Sequence, residues 1–242
     1  MLQALLQAIK RLCVYLWGFI KMPYGMTVYN TTNNLVIDNT YQNMGLKNKV
    51  SFSLGAGGTQ TVTLANAVAP LLFINSSGYV GIMNFSISGT TASWTLVAGS
   101  ASSGAAYVFD QGLSTASGYG LRVLNSSGVD VFNSSNKYLR VLETFSVSFS
   151  PAGTIGVTGP TVNRSYSPSV YAACISQPRA EEIISTGGNT LISDGINTTS
   201  TTVSIAHNVS QSYPFGTVIT DHTGFYFGSG SVQAMTIDVT GY

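Results

Sequence analysis

The chain has 242 residues and only 19 formal charges (10 Lys plus Arg, 9 Asp plus Glu), a charged share of 8% with a net charge of +1; ordinary soluble domains carry about 25% charged residues. Polarity comes instead from 31 Ser, 26 Thr and 16 Asn, while the 44% hydrophobic and 11% aromatic content excludes disorder and 26 Gly without a three-residue period exclude collagen. A near-neutral chain also lacks the electrostatic footprint of a nucleic-acid binder.

Residues 1–21, MLQALLQAIKRLCVYLWGFIK, contain three cations, no acid and no Ser, Thr or Asn. Leu2, Leu5, Leu6, Ile9, Leu12, Cys13, Leu16 and Ile20 recur at spacings of three and four, which predicts an N-terminal amphipathic helix. Val14, Tyr15, Trp17 and Phe19 widen its apolar face. Lys21-Met22-Pro23 does not offer the small-residue cleavage site of a signal peptide. Only residues 12–20 run uninterrupted and apolar, short of the roughly 20 a membrane span needs. The helix therefore reads as an anchor docked on a partner or on the chain itself, through Leu2, Leu5, Leu6, Ile9, Leu12, Leu16, Trp17 and Ile20. A membrane-surface role, using Lys10 and Arg11, is the weaker alternative.

From Met22 onward the pattern changes to short alternating runs between Gly, Asn and Ser turns. Val50-Ser51-Phe52-Ser53-Leu54, Thr61-Val62-Thr63-Leu64 and Phe145-Ser146-Val147-Ser148-Phe149 have the period of two that marks half-buried strands. Their spacing predicts an all-β body of two β-sandwich-like modules built from hairpins, residues 22–118 and 119–242. Gly55-Ala56-Gly57-Gly58 lies between two such runs and reads as a hairpin loop, because a phosphate cradle would open into a helix. Gln177 to Ile184 reads as a helical turn or a loop, with Pro178 and two Glu suited to a first turn.

One internal echo stands out. Tyr24-Gly25-Met26-Thr27-Val28-Tyr29-Asn30, then Leu35-Val36-Ile37-Asp38, is followed 95 residues later by Tyr119-Gly120-Leu121-Arg122-Val123-Leu124-Asn125 and Val129-Asp130-Val131-Phe132. Each segment predicts a strand, an Asn-led turn and a strand. Asn125 can bond the backbone two residues on, and Gly128 can take a positive φ.

Chemistry-bearing patterns are sparse. His207 and His222 have no metal-ligand spacing to each other or to cysteine, and Asp221 and His222 would face opposite sides of a strand. There is no nucleophile elbow, Cys13 and Cys174 read as small hydrophobes, and the acids are scattered. No enzyme, cofactor or metal is expected. The eight Asn-x-Ser/Thr triplets read as turn chemistry. Aromatic residues are the better binding candidates. Tyr213 and Phe215, with the run Phe225-Tyr226-Phe227, are expected to contact another subunit, or to stack on a receptor's sugar rings.

Met22-Pro23-Tyr24-Gly25-Met26-x-Val28-Tyr29-Asn30 is similar to the opening of a family of small tail-associated proteins of tailed bacteriophages and prophages, which begin M-x-Y-G-hydrophobic-x-V-x-N. Tyr119 to Arg140, continuing through Val141-Leu142, resembles the same pattern. The likeness covers the two hairpins and the strands between them, about a third of the chain, and weakens after residue 150. Residues 1–21 precede the family's start, as a docking helix or an upstream start. The resemblance implies a structural protein of the virion tail, at its tip or in a fibre. Its partners would be other copies of itself and neighbouring tail proteins, with a host cell-surface receptor as a further candidate; nucleic acid is not expected, and a membrane stays the weaker alternative. A receptor- or carbohydrate-binding β module, on a virion or secreted, is the alternative, and a capsid or decoration protein a third.

Overall fold

The computed structural model describes residues 28–29, 35–37, 43–112, 120–148, 161–177, 179–185, 188–213 and 231–242. The expected helix over 1–21, with its apolar face, lies outside them. Among the described residues there is no helix. The described residues form seventeen strands: β1 Val28–Tyr29, β2 Leu35–Ile37, β3 Gly45–Leu54, β4 Thr59–Leu64, β5 Leu71–Ser76, β6 Val80–Ser88, β7 Thr91–Ala98, β8 Ser102–Asp110 and β9 Arg122–Leu124. The remainder are β10 Asp130–Asn133, β11 Val141–Ser148, β12 Thr161–Ser165, β13 Tyr171–Ile175, β14 Ala180–Ser185, β15 Gly188–Thr198, β16 Thr202–Tyr213 and β17 Ser231–Asp238.

Two large antiparallel sheets form a sandwich. One has six strands in the order β11-β17-β13-β5-β8-β3; the other has seven, β12-β16-β15-β6-β7-β4 with β14 paired to β15. The alternation read in the sequence explains the packing. Val50, Phe52 and Leu54 of β3, and Phe145 and Val147 of β11, point inward to meet Val62, Trp94, Leu96, Ile196, Val203 and Ile205 of the facing sheet. Ser51, Ser53, Thr144, Ser146 and Ser148 are left outside.

Both open sides of the sandwich are laced by side chains. Between edge strands β3 and β4, Asn48 Nδ2 donates to the Thr63 carbonyl and Gln60 Nε2 to the Ser51 carbonyl, each at 3.3 Å. Between edge strands β11 and β12, Arg164 Nε donates to Glu143 Oε1 at 3.2 Å and the Tyr166 hydroxyl donates to Glu143 Oε2 at 2.9 Å. The Arg164 guanidinium also covers the Phe145 ring at 4.5 Å. These contacts satisfy edge carbonyls and cover the ends of the core, where bare strand edges would invite pairing with other chains.

The outward face of the six-stranded sheet holds a second apolar cluster. Phe73, Tyr107, Phe109, Ala172 and Ile237 are buried there, with Cys174, Met235 and Leu139 packed around them. Phe73 and Phe109 meet edge to face at 5.6 Å. Tyr242 leans on Phe109 and is flanked by the Lys137 ammonium at 5.3 Å and the Arg140 guanidinium at 4.6 Å. Its carbonyl accepts a hydrogen bond from Lys49 Nζ at 2.8 Å.

The two halves of the body share both sheets, and the reading of two shorter segments changes. Strands from before and after residue 118 join within each sheet at one junction, β13 pairing with β5 and β15 with β6. Each half keeps its strands together and gives them to both sheets: β3, β5 and β8 with β4, β6 and β7 from the first, β11, β13 and β17 with β12, β14, β15 and β16 from the second. The Gly55–Gly58 segment is not a hairpin loop, since β3 pairs with β8 and β4 with β7. It carries the chain from one sheet to the other, with Gly57 at φ 68° and its N–H bonded to the Ala98 carbonyl at 2.8 Å. The segment around Glu181–Ile184 is strand β14, paired along its length with β15. Ile183 and Ile184 are β-branched and favour that pleated partner over a helical turn.

The remaining strands, β1–β2 and β9–β10, form two separate two-stranded hairpins. They fall within one compact unit, Met1–Gln42 with Tyr119–Ser134, and the sandwich within another, Asn43–Gly118 with Ser135–Tyr242.

Candidate functional site

The hairpin β9–β10 is the better-described copy of the motif that carries the resemblance. Asn125 closes its turn as expected: Oδ1 accepts from the Ser127 and Val129 N–H groups, each at 2.9 Å. Gly128 takes φ 77° and donates to the Asn125 carbonyl at 3.0 Å. Across the strands, Arg122 Nε and Nη2 grip Asp130 Oδ1 and Oδ2 at 3.0 and 2.8 Å. Hydrogen bonding to that carboxylate raises the Arg122 pKa further above its ordinary value. Val123 and Val131 are buried, whereas Leu121, Leu124 and Val129 are 45–50% exposed. The hairpin thus has one buried face and one that offers apolar side chains around an ion pair.

A buried polar cluster lies in the sandwich unit, where β15 carries a bulge between Ser193 and Asp194. Asp194 Oδ2 accepts from the Arg179 backbone N–H at 2.9 Å and from Arg179 Nε at 3.0 Å. Its Oδ1 takes Arg179 Nη2 and His207 Nδ1, both at 3.1 Å. All three residues are buried. A carboxylate offers about four acceptor positions, and these four contacts occupy them. Asp194 therefore has no lone pair to spare for a ligand, and the cluster acts as an ion-paired lock on the β14–β15–β16 corner.

Sequence reasoning missed this cluster, having treated His207 alone. The signal was there in part. The β15–β16 turn is closed by the Thr199 N–H on the Thr202 carbonyl at 2.8 Å, and Asp194 lies five residues before Thr199 as His207 lies five after Thr202 (199 − 194 = 207 − 202 = 5). Equal distance from a two-strand turn places them side by side, and they are register partners. Arg179 arrives from a different strand connection, which spacing does not reveal.

Each of the four described arginines has an acidic partner: Arg122 with Asp130, Arg140 with Asp238, Arg164 with Glu143 and Arg179 with Asp194. Asp110 is buried and accepts the N–H groups of Val68, Ala69 and Gln111 at 2.7–2.9 Å, tying down the loop before β5. Along its edges and on β17 the sandwich turns hydroxyl and amide side chains outward (Thr59, Thr61 and Thr63 on β4, Ser146 and Ser148 on β11, Thr161, Asn163 and Ser165 on β12, Ser231 and Gln233 on β17), beside exposed Ile87, Val141 and Leu142.

Of the predicted contact aromatics, Tyr213 closes β16 opposite Asn189 of β15. Phe215, Phe225, Tyr226 and Phe227 lie outside the described residues, as do Asp221 and His222. Among the described residues no group of three His, Cys, Asp or Glu converges as a metal would need. The chain matches no protein-family model, no curated protein and no solved structure at a significant level.

Proposed function

We propose that this protein is a structural component of a bacteriophage virion, in the tail tip or a tail fibre. It assembles with copies of itself and with neighbouring tail proteins through low-charge β surfaces, and residues 1–21 anchor it. The observation that supports this reading best is the pairing of charge inside the chain while hydroxyl and amide rows face outward. Interface cores between proteins are depleted in Lys, Glu and Asp, and β4 (Thr59–Leu64) carries no charged residue. The YGxxVxN hairpins add the family likeness.

A second reading, a receptor- or carbohydrate-binding module, draws on the same hydroxyl rows, which could exchange hydrogen bonds with sugar hydroxyls. Light scattering on the full chain and on a chain lacking residues 1–21, with a glycan array, separates the two. Assembly predicts a defined oligomer that weakens without the segment, and labelling on the tail of intact particles. A full-length monomer that retains glycan would reject it in favour of the second reading, and label spread over the head would favour a capsid or decoration protein.

A further inference from the structure

The two hairpins share more than a sequence echo. In β9–β10, Val123 pairs with Phe132 and Leu124 with Asp130, so that Val131 is the extra, bulged residue. In β1–β2, Val28 pairs with Ile37 and Tyr29 with Leu35, so that Val36 is the extra residue. Adding 95 to each number of the second set gives the first set: 28 and 37 become 123 and 132, 29 and 35 become 124 and 130, and 36 becomes 131. Pairing register, turn length and bulge position coincide without a gap. Tyr24, Gly25, Val28, Asn30 and Val36 are identical to Tyr119, Gly120, Val123, Asn125 and Val131. A bulge is a specific local device that redirects a strand, and unrelated short hairpins have no reason to place one at the same position.

We propose that the unit formed by Met1–Gln42 and Tyr119–Ser134 is built from one hairpin used twice, with Val28 and Val36 holding the positions of Val123 and Val131. The strands that follow each copy also repeat in order: outward from the junction of the halves, β5-β8-β3 and β6-β7-β4 are matched by β13-β17-β11 and β15-β16-β12, with β14 as an extra strand. Val123 and Val131 form the small buried cluster on β9–β10, and Val28 and Val36 hold the same places in the backbone pairing of β1–β2. In the sequence, Leu121, Leu124 and Val129, which are exposed on β9–β10, fall 95 residues after Met26, Tyr29 and Asn34.

The test is a segment exchange in the full chain, residues 24–38 replaced by the sequence of 119–133, beside a control carrying the same exchange with one extra residue in the turn. Amide hydrogen exchange reads each hairpin and the sandwich separately. The equivalence predicts that the exchanged chain keeps the protection of 28–29 and 35–37 and melts within about 3 °C of the parent, whereas the control loses that protection. Loss of protection in the straight exchange, with the sandwich still protected, would overturn it. So would an inserted residue that changes nothing. Val36→Asp and Val131→Asp give a second measure: equal loss of hairpin protection supports the equivalence, and loss from Val131→Asp alone rejects it.

Discussion

The backbone N–H and the guanidinium of Arg179 converge on one carboxylate, that of Asp194, at 2.9–3.1 Å. The carbonyl of Arg179 in turn accepts the Asp194 N–H at 3.1 Å. Main chain and side chain of one residue are thus both held by the other. The pair is buried, and His207 completes the carboxylate's coordination. Removing one partner of a buried pair leaves the other charge without compensation, at a cost of about 3–5 kcal/mol. Asp194→Ala is expected to lose that much in urea unfolding. A triple variant with apolar residues at 179, 194 and 207 should recover most of it. If Asp194→Ala unfolds within about 1 kcal/mol of the parent, the lock is not structural.

The Arg164–Glu143 pair provides the opposite case. Its side chains are 36% and 39% exposed, so solvent screens their attraction and the pair contributes about 0–1 kcal/mol. Glu143→Gln should shift the urea midpoint only slightly, and less again in 1 M salt, where screening is nearly complete. A large, salt-independent loss would mean that this edge of the sandwich depends on the pair.

Two glycines should respond differently to the same methyl group. A Cβ on Gly104 would lie 1.9 Å from the Asn75 carbonyl oxygen on the neighbouring strand β5. Backbone cannot yield cheaply there, and Gly104→Ala is expected to cost about 3 kcal/mol or more. Gly128 has open space around it but sits at φ 77°, so Gly128→Ala should cost only about 1 kcal/mol of backbone strain. Thermal unfolding of the two variants orders them, and the reverse order would reject the argument.

Cys174 gives an alkaline signature. Burial pushes its thiol from 9.0 up to about 12, with a backbone contact at Met235 opposing. A raised folded pKa means that the folded state holds the proton more tightly than the unfolded chain. Its contribution is therefore complete below the unfolded value near 9 and is lost as pH rises toward 12. Burial also raises the phenols of Tyr166 and Tyr242, which act in the same direction. Stability measured from pH 8 to 11 should fall, and fall less steeply in Cys174→Ala. The native thiol should also resist labelling at pH 8, because the thiolate is the reactive form. Rapid labelling without unfolding would contradict the burial.

Much of the strand content was legible from residue order. The Val50-Ser51-Phe52-Ser53-Leu54 and Phe145–Ser148 alternations folded as read, with apolar residues inward, since side-chain direction in a strand alternates strictly. The Asn125 turn formed with its anticipated hydrogen bond because the acceptor and donor are two residues apart. Gly55–Gly58 was misread for a complementary reason. A glycine-rich link between two strands looks the same whether they pair with each other or leave for opposite sheets.

Of the candidate sites, the sequence brought out the hairpin motif and the hydroxyl-rich surface. It did not bring out Arg179–Asp194–His207, two of whose members are matched by a turn and the third by a separate strand connection.

Composition and local pattern by themselves determined an all-β body, its turns, its low-charge surface and the recurrence of one hairpin. These follow from properties each residue carries into any environment: side-chain alternation, turn geometry and charge. Only the tertiary structure decided that strands from both halves share one sandwich, that its edges are laced at Asn48, Gln60 and Glu143, and that four arginines find acids inside the chain. Those outcomes depend on non-local pairing, in which many strands of similar hydrophobicity compete and burial of a common core selects among them.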